Sequence, residues 1–419
     1  MRRALVLLLL ATSALGADPR GRFSRFCSRT DQGRTSRGLL CDSLAFFEAF
    51  NGRGTTTACS TTAPTGAKGE ALTFTRASTA TCTRTASGGL ATSGIANGDL
   101  TVLSANVARV SFDGAGTLGL LVESSRTNVN LQSADLGNAV YANVGAPTTT
   151  SNTTVSPDGT TTMATIQDNS AAAFEGRSQT VTVTSGQPYT LSVYVKAGTL
   201  SAVTVSLDGT TGTCTGLSGA TSTRCIVTDA SASGVAIVAQ VTGGTVVGDT
   251  GTFIAWGQLV ELGLYATSYI PTTSAAVTRA AETATFPGAT LPANPYSLAV
   301  SLYPPSATTQ GDLFYGNTAT TGVGFFFVGG LLRAQNCNGT CANLSPAYAP
   351  PALTATRLAT SSTGGNQQTF VNGSSIAGPT ATASAIAPWA TATGIGPGVG
   401  PGDGIISRIC VDPSPTRCR

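Results

Sequence analysis

The feature that most constrains this chain is a two-residue alternation of apolar and polar side chains, interrupted at short intervals by turn dipeptides. Tyr189, Leu191, Val193 and Val195 face one way while Thr190, Ser192, Tyr194 and Lys196 face the other, the signature of a half-buried strand. Val203, Val205 and Leu207 repeat the pattern before Asp208-Gly209 turns the chain, and Val235, Ile237, Ala239 and Val241 form a further inward face. Tyr296, Leu298, Val300 and Leu302 open a second set of strands, which Gln367–Asn372-Gly373 continues as a strand entering a tight hairpin. A low charged fraction of 10% and 50 glycines suit many short strands joined by tight turns. Only Leu40, Leu44, Phe47 and Phe50, ahead of Asn51-Gly52, are spaced as on a helix.

These patterns predict an all-β protein: two β-sandwich domains in tandem, preceded by a short disulfide-bearing leader with one helix. The expected divisions are a signal peptide over 1–16, a basic cysteine-containing leader over 17–69, a β-rich lead-in over 70–135, and sandwiches over 136–282 and 283–419. The stretch from Gly251 to Glu282 joins the two sandwiches. In it Trp256 shares a face with Ile254, Val260 and Leu262, which places it in the core unless Gly257 carries a bulge that resets the register.

The N-terminus has a secretory layout: Arg2 and Arg3, an apolar run from Ala4 to Ala11, then small residues to Gly16. That run is too short to span a bilayer and no later stretch is apolar for long enough, so a secreted, extracellular or cell-surface location is expected with no membrane span. Ten cysteines follow the cut as close neighbours: Cys27 and Cys41, Cys59 and Cys82, Cys214 and Cys225, Cys337 and Cys341, Cys410 and Cys418. An even count in an exported chain reads as disulfides, and neighbour pairing closes the smallest loops.

Several chemistries are excluded or disfavoured. The chain has no histidine, so Ser-His-Asp and Cys-His catalysis and His-ligated metals are ruled out. Its formal charge of +3, which falls to +1 once Arg2 and Arg3 leave, is too balanced for nucleic-acid binding through phosphates. Glu123, Asp168, Glu175, Asp249, Glu261 and Glu282 are carboxylates that paired glycoside hydrolysis could use, yet none sits in a recognisable catalytic context. Glu123 with Arg126 reads instead as a structural clamp, and Glu261 as a residue fixing the domain joint.

The order LTFTRASTAT (72–81), ANVARVSFD (105–113), GLLVESSRTN (119–128), SPDGTTT (156–162), YTLSVYVKAG (189–198) and WGQLVELGLYATSYIPTTSAAVTRAAE (256–282) resembles a module of bacteriophage tail and head-fibre proteins and of exported bacterial proteins. The resemblance implies a jelly-roll of the carbohydrate-binding-module type followed by a concanavalin A-like or laminin-G-like sandwich. The expected function is then non-catalytic recognition of a glycan or cell surface, with a structural spacer or fibre component, capable of self-assembly, as the alternative.

A sugar site needs an aromatic face, polar partners and often a calcium ion to stiffen loops. The candidates are Tyr194 and Lys196 with Gln240 in the first sandwich, against the competing reading of Tyr194 as a cover for its sheet. In the second they are Tyr315, Asn317 and Tyr348, with Asp312 as a calcium ligand. No cofactor other than calcium is expected.

Overall fold

The computed structural model describes residues 58–61, 73–84, 92–112, 118–286 and 296–304, and separate stretches between 311 and 412 in which much of the description is of backbone alone. All of them belong to the compact unit Ala45–Arg419. Every regular element among the described residues is a β-strand, and every strand pairing is antiparallel. The fold is therefore all-β, as the alternation predicts. The helical spacing at Leu40–Phe50 lies outside the described residues.

Two five-stranded sheets pack face to face in the middle of the chain. One has the spatial order Thr210–Cys214, Val203–Leu207, Ala236–Gly243, Gly176–Thr182, Ala142–Val144. The other runs Thr223–Asp229, Tyr189–Ala197, Gly251–Leu262, Met163–Asp168, Thr148–Thr154. Alternation turns Val181, Val203, Val205, Leu207, Ile237, Ala239 and Val241 of the first sheet onto Ile166, Leu191, Val193, Val195, Phe253 and Ala255 of the second, forming one apolar core. Each such Val, Leu or Ile contributes about 1.5–3 kcal/mol on burial. Val235 departs from the expected inward face: it precedes the strand and is 67% exposed.

A second, smaller core covers the outer face of the second sheet. Ile95 and Leu100 from the lead-in, and Tyr269 and Ile270 from the corner after the long strand, pack over Tyr194, Trp256, Met163 and Leu259. The cause lies in Gly257. It has φ of +67°, and the register against Tyr189–Ala197 slips there, with Tyr194 opposite Trp256 but Ser192 opposite Leu259. This is the bulge that the sequence left open. Simple alternation would group Trp256 with Val260, whereas the extra residue sends Val260 into the inner core and keeps Trp256 with Leu259 in the outer one.

Two disulfides form as expected. Cys214–Cys225 ties Thr210–Cys214 of one sheet to Thr223–Asp229 of the other, and Cys59–Cys82 ties the 58–61 stretch to the strand Ala80–Thr83. Cys337 and Cys341 are backbone partners in the hairpin formed by Leu331–Asn338 and Thr340–Asn343. Cys27, Cys41, Cys418 and the side chain of Cys410 lie outside the described residues. The two bridges are compatible with an extracellular protein. No helix among the described residues is long and apolar enough to cross a membrane.

Fourteen further strands form two seven-stranded sheets in which distant parts of the chain interleave, and Arg126–Asn128 pairs with Val277–Arg279 in a two-stranded one. One runs Ser374–Ala381, Asn366–Val371, Thr356–Thr363, Tyr296–Tyr303, Gly404–Asp412, Leu118–Val122, Arg109–Phe112, so lead-in strands extend a sheet of C-terminal strands. In the other, Thr73–Thr75 pairs with Thr283–Phe286 at one edge. Asn372 and Gly373, with φ of 50° and 83°, make the tight hairpin expected at that dipeptide. A small sheet of Ala80–Thr83 and Leu100–Leu103 completes the lead-in.

Candidate functional site

Among the described residues the densest chemistry is a buried cluster of arginines and glutamates where the lead-in meets the end of the central sandwich. Each member comes from a different strand end or turn, so the fold has to be complete before the cluster exists. Arg76 follows Thr73–Thr75, Arg109 opens Arg109–Phe112, Glu123 follows Leu118–Val122, Glu261 lies at the end of Gly251–Leu262, Arg279 closes Val277–Arg279, and Glu282 precedes Thr283–Phe286.

Glu282 is the hub. Its Oε1 accepts from Arg76 Nη1 at 2.7 Å and Arg109 Nε at 2.7 Å, and its Oε2 accepts from Arg109 Nη2 and from the Glu123 backbone N–H at 2.9 Å. Arg109 thus grips Glu282 with both prongs of its guanidinium, the strongest geometry available to this pair. Glu123 accepts from Arg109 Nη2 at 2.6 Å and from the Ser268 N–H and hydroxyl, and lies 3.0 Å from Arg279 Nη1. The Glu282 N–H donates back to the Glu123 carbonyl at 3.0 Å. The side chains of Arg76, Arg109 and Glu282 are fully buried, and those of Glu123 and Arg279 almost so.

The rest of each guanidinium is spent on backbone. Arg76 donates to the carbonyls of Ser78, Ser104 and Val107, and Arg109 to that of Thr81. Arg279 donates to the Ser124 carbonyl at 2.7 Å and to the hydroxyls of Thr267 and Ser268. Beside them Glu261 takes the N–H and hydroxyl of Thr267, each at 2.6 Å, and faces Arg126 at 3.9 Å.

The electrostatics differ between the two carboxylates. Burial acts to raise the Glu123 carboxyl, but Arg279 and Arg109 with the Ser268 hydroxyl outweigh it and hold the group well below the usual carboxylate range. Burial dominates at Glu261, where the Thr267 hydrogen bonds and more distant arginines offset it only in part, so its carboxyl sits above the ordinary value. Neither has a face open to a substrate, since both residues are at 0–1% exposure. The arrangement fixes chain segments to one another; the clamp reading of Glu123 and the joint reading of Glu261 describe it, with different partners from those expected. Glu123 pairs with Arg109 and Arg279 and not with Arg126, which faces Glu261 instead.

The expected sugar-binding residues are placed otherwise. Tyr194 is 2% exposed, packed edge-on against Trp256 at 5.5 Å and Tyr269 at 6.1 Å, with the Arg224 guanidinium 5.4 Å from its ring centroid. It is therefore core, because the lead-in covers the face that alternation alone leaves polar. Lys196 is buried too, its Nζ donating to Asn97 Oδ1 at 2.5 Å and the Val155 carbonyl at 2.9 Å. Gln240 is half-buried beside Ser178 and Ser206 on the outer face of the other sheet, so the fold does not bring it to Tyr194. Tyr348 is half-buried; Asn317 and the side chains of Tyr315 and Asp312 lie outside the described residues. Asp168 and Glu175 are buried and accept backbone N–H groups of Ser170, Glu175, Asn169 and Ala146, and Asp249 accepts those of Thr245 and Val246. Among the described residues no group of three or more Asp, Glu, His or Cys side chains is placed to hold a metal.

Sequence reasoning did not single out Arg76, Arg109, Thr267 or Ser268. A signal was available: in a chain with so few charges, Arg109 interrupts an apolar strand and Arg76 follows another, and a charge in such a position needs a buried partner. No protein-family model and no curated protein matches this chain.

Proposed function

We propose that this chain is an exported, non-catalytic β-sandwich protein that serves as a rigid module of a surface or fibre-like assembly. The observation that carries the reading is the buried clamp itself. Glu123, Glu261 and Glu282, which a hydrolase would need free, are committed to arginines, hydroxyls and backbone groups at zero or near-zero exposure. Such a cluster contributes shape and register more than net stability, because desolvation offsets much of the Coulombic gain. A module that must hold its outer surfaces in fixed relation has use for that. The N-terminal secretory pattern and the two disulfides support an exported location.

Glycan recognition is the second reading, and one observation favours it. The outer face of the first sheet carries exposed Thr180 and half-buried Gln240, with the buried Ser178 and Ser206 beside Gln240, uncharged hydroxyl and amide groups of a chemistry suited to sugar hydroxyls. Light scattering across a concentration series and a glycan array on the secreted chain separate the two. Concentration-dependent assembly without glycan retention supports the module; a monomer retained by one glycan class, with retention lost in Gln240→Leu, replaces it with the lectin-like reading. Polysaccharide turnover lost on a single carboxylate substitution would sink both.

A further inference from the structure

The buried lysine and the turn it reaches form a site of a different kind. Asn97-Gly98 is the tip of the turn that leads into Leu100–Leu103, and it docks on the 155–158 loop through Gly98 N–H to the Ser156 carbonyl at 3.4 Å and Leu100 N–H to the Pro157 carbonyl at 2.8 Å. Asn97 is exposed as a residue, yet its Oδ1 is held at 2.5 Å by the Lys196 ammonium. Gly98 has φ of +77° and no atom within 4 Å of where a Cβ would lie, so nothing crowds the backbone at that point. Among the described residues Lys196 donates only to neutral oxygens, those of Asn97 and Val155.

We infer that Asn97-Gly98 is a self-modifying site, in which Lys196 polarises the Asn97 carboxamide for attack by the Gly98 nitrogen and the resulting carboxylate closes an ion pair with Lys196. The Gly98 N–H leaves its long 3.4 Å hydrogen bond to the Ser156 carbonyl, and the nitrogen gives its proton to water and bonds to Asn97 Cγ. Negative charge gathers on Oδ1, against the ammonium; Nδ2 then takes a proton back from water, the oxyanion collapses to the carbonyl, and the Cγ–Nδ2 bond breaks with loss of ammonia. Water then opens the five-membered imide, leaving an aspartate or isoaspartate at position 97. A cation fixed on the oxygen where charge develops is the arrangement that lowers such a barrier. The product also removes an anomaly, since a buried ammonium bonded only to neutral oxygens gains a counter-charge. Burial lowers the Lys196 pKa from its ordinary value, so the ammonium has stabilisation to recover. The change would latch the turn, together with Ile95 and Leu100, over Tyr194 and Trp256.

The chain holds its own control. Asn372-Gly373 is the same dipeptide with an equally open positive-φ glycine; Asn372 is itself at φ of 50°, unlike Asn97, and its Oδ1 accepts from the neutral Arg357 backbone N–H at 2.8 Å. The full chain is held in warm, mildly alkaline buffer and both peptides are followed by mass spectrometry. A donor on a developing oxyanion is worth about 10²–10³ in a closed site, so conversion at Asn97 about tenfold or more faster than at Asn372 is expected for this half-open one. Lys196→Met should bring the two rates together. Asn97→Asp should raise the thermal midpoint by about 2 °C or more, and the gain should vanish when combined with Lys196→Met. Equal rates at the two sites in the unsubstituted chain, or no rise in midpoint for Asn97→Asp, overturns the inference. Both measurements stand even if Lys196→Met fails to fold.

Discussion

Glu282 stands between two arginines with no water-facing side, and that position sets what its removal does. Glu282→Gln leaves the Arg76 and Arg109 guanidiniums without their shared carboxylate and turns one accepting oxygen into a donor aimed at a donor. Breaking one partner of a buried pair costs about 3–5 kcal/mol. Urea unfolding should show a loss in that range, and a loss under 1 kcal/mol would mean that the cluster behaves as if exposed. Glu123 supplies a pH test. Its native pKa lies below the unfolded value, so its contribution is complete above about pH 5 and is lost as the pH falls from the unfolded value near 4.3 toward the native one. Stability should therefore fall below about pH 4, and fall less steeply in Glu123→Gln. Glu261 has the opposite sign, its native pKa being raised, so its contribution is present at low pH and lost as the pH rises through the native value. At this scale the sequence disclosed which residues carried charge in apolar surroundings but not who met whom. Arg76 and Glu282 are 206 positions apart, and no local pattern encodes such a pairing.

The long strand Gly251–Leu262 shows how one residue decides the use of two faces. Tyr189–Ala197 and Ala236–Gly243 were legible as strands because side-chain alternation has a period of two and their apolar faces are unbroken. Gly257 breaks that period, and the consequence for Trp256 could be read only with the register in hand. A Cβ at Gly257 would come within 2.9 Å of the Tyr194 ring and would carry a φ that L-residues rarely adopt. Gly257→Ala should destabilise the protein by about 1–3 kcal/mol, measured by denaturant midpoint; an unchanged midpoint would show that the bulge relaxes freely. The Cys214–Cys225 bridge acts at an edge of the same sandwich, joining the edge strands Thr210–Cys214 and Thr223–Asp229. It closes a short loop, with a sequence separation of 11, so replacing both cysteines with serine should cost about 2–3 kcal/mol by the chain-entropy argument. A midpoint unchanged by reductant would remove the bridge from the account.

Strand pairing runs through the whole molecule in a way that hydrophobic periodicity cannot report. Periodicity identifies strands, but pairing between Leu118–Val122 and Gly404–Asp412, or between Thr73–Thr75 and Thr283–Phe286, is settled by partners far away in the chain. The central sandwich is consequently not self-sufficient. Cut out over residues 136–282, it would keep Arg279, Glu261 and Glu282 but lose Arg76, Arg109, Glu123 and Arg126, and the outer core would lose Ile95 and Leu100 from above Tyr194 and Trp256. Two penalties then add: carboxylates buried without their arginines, and an aromatic face opened to water. A fragment over residues 73–286 retains both sets of partners. The shorter fragment should bind a hydrophobic dye and unfold without a sharp transition, whereas the longer one should unfold cooperatively and leave the dye dark. Equal cooperativity in the two would show that the inner core alone defines the sandwich. The clamp would then have no part in holding it rigid, and the proposed role as a surface module would lose its physical basis.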